Sequence, residues 1–238
     1  GFERVLSVLQ GQSSNYDTDL FAPLFARIAR FSGQRYAGTM SEIDVAFRVC
    51  ADHMRAVSAA IADGALPSNE GRGYVLRRLI RRASRFARQA FDRREPCLWE
   101  LADPVASALG DAFPEISSRV GLVRDLVRAE EEAFGRTLER GLVLFAELGA
   151  RVESSGRKIL PGKESYELYA TYGFPQDLVE LMARERGLAV DARGWDEAQK
   201  AHQAASKAEG KFKQVLSAEV LASVKPTRST CHETGAQA

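Results

Sequence analysis

The residues with the clearest chemical potential are arginines. Between Gly71 and Ala90 the chain carries seven of them and no acid, within the run PSNEGRGYVLRRLIRRASRFARQA that starts at Pro67. At about 100° per residue, Leu76, Leu79, Ile80, Ala83, Ala87 and Ala90 fall on one stripe of a helix. Arg77, Arg78, Arg81, Arg82, Arg85 and Arg88 cover the opposite side. The pattern predicts a core-facing helix whose wet face is guanidinium. Guanidinium forks match phosphate oxygens and base edges. Arginines three and four apart also repel one another. Such a row is relieved by acids elsewhere in the fold or by a bound polyanion, and the helix alone leaves both open.

Other arrangements carry less. Asp52-His53 is an acid beside an imidazole, but neighbours on a helix point about 100° apart, so a helix-buried histidine is expected. Glu130-Glu131-Glu132 reads as a solvated acidic face rather than a metal site. Tyr166, Tyr169 and Tyr172, three apart, read as core. Cys50, Cys97 and Cys231 are odd in number and far apart, and Cys231-His232 is an adjacent pair without ligand spacing. With His53 and His202 the remaining histidines, no zinc site is expected. No Gly-rich phosphate loop or nucleophile signature is found.

The charge balance places the basic surface. Net charge is +1, from 33 basic and 32 acidic residues, so the basicity is local. Acid gathers at Glu130 to Glu132 and at Glu42, Asp44 and Asp52. A bipolar chain suits docking a polyanion on one face. The cysteine usage points to a reducing, cytoplasmic setting without a disulfide framework. No signal peptide is evident, and no apolar run approaches the roughly 20 residues a membrane span needs.

The elements that must position these residues read as helices. Helices are predicted over Glu3–Gln10, over Tyr16–Phe31 with a break at Pro23 and a cap from Asp17 or Thr18, and over Ser41–Asp63. Ser41 followed by Asp44 resembles a capping box with a shorter acid, and Gly64 is the expected stop. Beyond the arginine helix, Glu95–Leu109, Arg119–Leu148, Glu164–Thr171 and Gln176–Glu185 are predicted helical. Lys158–Leu160 is a short extended piece. Trp195–Phe212, rich in Ala, Lys and Gln, reads as an exposed helix, and no pattern follows Lys225-Pro226. The fold class is mostly α, a helical bundle-like arrangement.

Four blocks carry a resemblance. GFERVLSVLQG with SNYDTDLF, ADHMRAVSAAIADGALPSNEGRGYVLRRLIRRA, EEEAFGRTLERGLVLF and LYATYGFPQDLVELMARERGLAVD resemble, in that order, the alanyl-tRNA synthetases. The likeness runs from Gly1 to about residue 195. It implies that residues 1–35 are the C-terminal end of a class II aminoacylation domain, with its last helix at the N-terminus. It implies a helical tRNA-recognition domain over 36–195, and an exposed helix and linker toward an editing domain over 196–238. The chain is then an internal portion of a class II aminoacyl-tRNA synthetase; a stand-alone, non-catalytic RNA-binding module of the same descent is the alternative.

The resemblance also implies roles. Gly1-Phe2-Glu3-Arg4 resembles the end of the third class II motif, Gly-x-Gly-x-Glu-Arg, with Phe2 where Leu is usual. Gly1 and Arg4 would then belong to the ATP site, with Arg4 on the γ-phosphate. ATP and Mg²⁺ would serve the parent alanine–tRNA ligase, and none would be held by this portion alone, which is expected to be inactive by itself. The tRNA-Ala acceptor stem is the implied partner, met by Asn69, Arg72, Arg77, Arg78, Arg81, Arg82 and Arg85. In the family an asparagine in the SNE turn and an aspartate in LYDTYGFP read a G:U pair. The first maps onto Asn69. The second is Ala170, whose methyl accepts no hydrogen bond, so recognition of the pair is expected to be relaxed.

Overall fold

The computed structural model describes residues 1–213, with side chains to 205. Among them are ten α-helices: α1 Phe2–Leu9, α2 Ala22–Ser32, α3 Glu42–Ala62, α4 Gly71–Phe91, α5 Ala102–Leu109, α6 Pro114–Ser118, α7 Val120–Ser154, α8 Gly162–Tyr172, α9 Gln176–Glu185 and α10 Ala192–Lys213. Two short strands, β1 Ile159–Leu160 and β2 Ala189–Val190, pair in parallel. The mostly helical expectation holds. The expected Cys231-His232 pair and the unpatterned stretch after Pro226 lie outside the described residues.

Local chemistry explains the boundaries. Ser41 Oγ accepts from the N–H of Asp44 at 3.2 Å, the forward half of a capping box. The return half does not form. The Asp44 carboxylate is short by one methylene and instead accepts from the N–H groups of Ala37 and Thr39 at 2.9 and 2.6 Å, pinning the preceding loop. Gly64, at φ +92°, ends α3 as expected. Pro23 sits in the first turn of α2, where its missing N–H costs nothing. The expected helix from Tyr16 therefore shrinks to a 3-10 turn over Asn15–Asp17 ahead of α2. Asp17 and Thr18 do not cap α2, whose N-cap is Phe21.

The helix expected from Glu95 begins only with a 3-10 turn at Leu98–Leu101. Pro96 disfavours helical backbone at Glu95. The buried Glu131 carboxylate then accepts from the N–H groups of Cys97, Leu98 and Trp99 at 3.0–3.2 Å, a cap supplied from another helix. Burial pushes the Glu131 carboxyl up to about 7 against the pull of those three donors.

The buried apolar residues form two clusters. The first joins α2 to α6 and the start of α7 around Phe47, Met54, Ile80, Leu98 and Val127. The second joins the rest of α7, α8, α9 and the start of α10 around Phe134, Phe174, Leu178 and Trp195. α7, with 35 residues, is about 50 Å long and contributes to both. It runs past the expected end at Leu148. Gly141 admits the Phe174 ring, since a Cβ there would lie 2.1 Å from a ring carbon. The expected exposed helix at Trp195 is docked instead: Trp195 is buried against Tyr166, ring centroids 5.4 Å apart. Gly162 permits this, because its Cβ would come within 2.2 Å of the Trp195 nitrogen.

Candidate nucleic-acid interface

α4 is amphipathic as expected on one side only. Leu76, Ile80, Ala83 and Ala87 are buried, and Ala83 lies so close to α3 that its carbonyl accepts from Cys50 Sγ at 3.7 Å. The opposite side is not a wet guanidinium face. α7 and the α8–α9 corner cover it, and their acids take up the charges. Nε of Arg77 and of Arg81 donate to the two carboxylate oxygens of Glu130 at 3.2 and 2.7 Å. Arg81 also donates to the Gly173 carbonyl and lies 5.2 Å over the Phe134 ring. Arg78 pairs with Asp177 at 3.7 Å. Arg85 is 4% exposed and grips Glu185 with both terminal nitrogens. Arg88 pairs with Glu139.

Acids thus relieve much of the repulsion along the row. Leaving such guanidiniums buried and unpaired would cost several kcal/mol each, of order 3–5 for a broken pair. The expected solvated face at Glu130 to Glu132 is corrected by the same observation: Glu130 and Glu131 are buried, and only Glu132 is exposed. Arg82 has no ion pair among the described residues, and its Nε is buried without an acceptor. With Arg78 it bears on His53, which lies on α3 as expected but is only half-buried. Burial first, then these two guanidiniums, lower its pKa to about 4.

The turn before α4 is shaped tightly. A Cβ on Gly73 would meet the Leu66 carbonyl and Ser68 Oγ at 2.2 Å, so only glycine lets the Pro67–Glu70 turn fold back over the first turn of the helix. That presents Asn69 and Arg72 exposed. Arg77 Nη1 donates to the Asn69 carboxamide oxygen. An arginine can only donate, so the Asn69 NH2 remains available as a donor.

Asn69, Arg77 and Arg81 meet Ala170 around one cleft of about 920 Å³. Its floor is Thr137 and Ala133 of α7, and one wall is Tyr169 to Tyr172 of α8. Thr137 Oγ1 donates to the Tyr172 carbonyl at 2.7 Å, tying floor to wall. Tyr166 is buried as expected, with Tyr169 and Tyr172 half-buried. The remaining wall was not foreseen: Gln199, His202 and Gln203 of α10. Their spacing of three and four on a polar helix is the sequence signal for this wall, and by itself it predicts only exposure. Arg78, Arg82 and Arg85 do not line this cleft; Arg82 and Arg85 border another, beside Phe86 and Glu185.

Gly1 is the N-cap of α1 and Arg4 lies on its first turn; neither lines either cavity. α1 is tied to α3 by Glu3 and Arg55 at 3.0 Å, while Arg4 stands exposed. Among the described residues no cluster of three acidic, histidine or cysteine side chains is placed to hold a metal ion. No helix of the described residues is long and apolar enough to cross a membrane.

Comparison with known proteins agrees with the sequence blocks. The family model of class II (A) tRNA synthetases matches residues 1–237. An alanine–tRNA ligase of Chlorobium phaeobacteroides is 46% identical over 217 residues, covering 91% of this chain and 24% of that protein. That of Chlorobium phaeovibrioides is 50% identical over 197 residues, covering 82% and 22%. That of Schizosaccharomyces pombe is 46% identical over 206 residues, covering 84% and 22%. The chain spans about a quarter of the length of these relatives. On this match, carried through both core clusters and the arginine helix between them, the chain belongs to the class II (A) tRNA synthetase family.

Proposed function

We propose that this chain docks the acceptor stem of tRNA-Ala as part of a cytoplasmic alanine–tRNA ligase. ATP-dependent attachment of alanine would be carried by parts of that enzyme other than the described residues. The observation that supports the reading is the shared cleft: Asn69, latched by Arg77, faces Ala170 across a cavity bordered by guanidinium and amide groups. The Asn69 NH2 is placed to donate to acceptors on a base edge in the minor groove. Arg72, exposed on the first turn of α4, is placed for a phosphate. Arg81 and Arg85 act through the frame, holding α4 against α7 and α9. Discrimination of a G:U pair rests on Asn69, because the Ala170 methyl accepts nothing from a guanine amino group.

The test is binding of a labelled acceptor-stem hairpin across a salt series. Specific docking gives an affinity that falls with salt and exceeds that for a scrambled hairpin of equal length. Equal affinity for both hairpins overturns the reading.

A further inference from the structure

Gly135 lies mid-way along α7 in ordinary helical backbone, where glycine is less favourable than alanine. Of the other glycines of this helix, Gly121 lies in its first turn, Gly141 admits Phe174, and Gly149 admits the Arg186 guanidinium at 2.5 Å from its would-be Cβ. A Cβ on Gly135 would meet nothing within 4 Å. Packing among the described residues does not ask for its small size.

Gly135 does border a cavity of about 490 Å³ between the end of α4, the segment 93–97 and α7. Five guanidiniums line it: Arg88, Arg93, Arg94, Arg128 and Arg136. Arg88 and Arg94 share Glu139, and Arg128 pairs with Glu132 at 3.0 Å. Of the other lining acids, Glu131 is held by three backbone N–H groups, and Glu95 makes no ion pair among the described residues. Arg93 and Arg136 have no carboxylate partner among the described residues, and Arg93 Nε is buried without an acceptor. The cavity therefore offers five guanidiniums against three carboxylates, beside a helix position with no side chain to bar close approach.

We infer that this cavity is a second phosphate site, which takes a phosphodiester of the RNA backbone through Arg93 and Arg136 while Gly135 lets the sugar–phosphate edge approach α7. It rests on the RNA-binding reading and adds a contact outside the cleft. Arg77 and Arg88 are eleven residues apart on α4, about 16 Å, a span of several base-pair steps of an RNA duplex. An RNA seated in the cleft must extend at least that far to reach it. Guanidinium forks fit a phosphate bidentately.

The experiment compares a short acceptor-stem hairpin, a full-length tRNA and inorganic phosphate, with the native chain, Gly135→Ala and Arg93→Gln/Arg136→Gln. The double variant is expected to lose about tenfold in affinity for the full tRNA and to flatten the log–log salt slope by about two. Short-hairpin binding should stay unchanged. Gly135→Ala should melt about 2 °C or more higher, as a freed helix position does, and still bind the full tRNA more weakly. A merely structural glycine would instead lower the melting temperature on substitution. The inference is overturned if both variants bind the full tRNA as the native chain does, or if the arginines matter only for inorganic phosphate. If the native chain fails to bind even the short hairpin, the RNA reading itself has failed. Normal short-hairpin binding with unaffected variants sinks the second site alone.

Discussion

The Arg77 guanidinium donates to the carboxamide oxygen of Asn69, eight residues earlier in the chain. The same arginine donates its Nε to Glu130 of α7. The orientation of the exposed asparagine is thus set by a buried carboxylate, through one side chain that spans both.

Discrimination between G:U and G:C stems should therefore depend on Asn69. Asn69→Ala is expected to lower the G:U preference, and Ala170→Asp to raise it by supplying an acceptor on the facing wall of the cleft. A good bidentate base contact is worth about 1–3 kcal/mol, so either change should move the affinity ratio by about tenfold. Hairpins differing only in that pair measure it. An unmoved ratio in both variants would mean that other residues read the pair.

Two arginines of α4 should behave in opposite ways. Arg72 is exposed and has no ion pair among the described residues. Arg72→Gln should flatten the salt slope of hairpin binding by about one and leave stability within about 0.5 kcal/mol. Arg85 is 4% exposed and held by Glu185. Arg85→Gln should lower stability by about 1–3 kcal/mol through the lost pair and leave the salt slope unchanged. Salt titrations beside urea unfolding of both variants decide the matter.

Glu130 is the acid on which Arg77 and Arg81 converge. Glu130→Gln removes the charge from a site 8% exposed and leaves two guanidiniums facing an amide. The expected cost is about 3 kcal/mol, together with a loosened Asn69 and weaker G:U preference. Glu132→Gln, on the exposed side of the same helix, should cost less than about 0.5 kcal/mol. Urea midpoints of the two variants compare them.

His53 links stability to pH. Its folded pKa is lowered to about 4 from 6.5, by burial and then by Arg82 and Arg78. The unfolded chain binds more protons between those values. His53 therefore contributes stability that is complete above pH 6.5 and is lost as pH falls toward 4, by at most about 3 kcal/mol. Glu131, raised to about 7 by burial, has the opposite sign over much of the same range. The informative quantity is the difference between native chain and His53→Gln: their unfolding free energies should converge by at least about 1 kcal/mol from pH 7 to pH 5. Parallel profiles would remove His53 from the account.

Much of the fold was legible in the sequence because it rests on local rules. Helical periodicity and caps located α3 within a residue or two, from Ser41 to Gly64, and α9 at Gln176–Glu185. Asn69 was placed in the turn before α4 by the resemblance of its SNE segment to that of the family. The apolar stripe of α4 is buried where the periodicity put it, apart from Leu79 and Ala90, which are only half-buried. These features depend on neighbours a few residues away, and backbone geometry fixes how such neighbours meet.

What faces the arginines was decided only by the tertiary structure. Glu130 and Glu185 lie 49 and 100 residues from the arginines they hold, and no pattern in either segment marks the pairing. A charge row looks the same in sequence whether solvent, a polyanion or a buried carboxylate faces it. The difference is desolvation, which exists only once α7 and α9 close over α4. The cleft is likewise tertiary. Asn69, Ala170 and the α10 side chains share it because β1 and β2 pair and Trp195 docks beneath Gly162, contacts between segments that carry no local signal of one another.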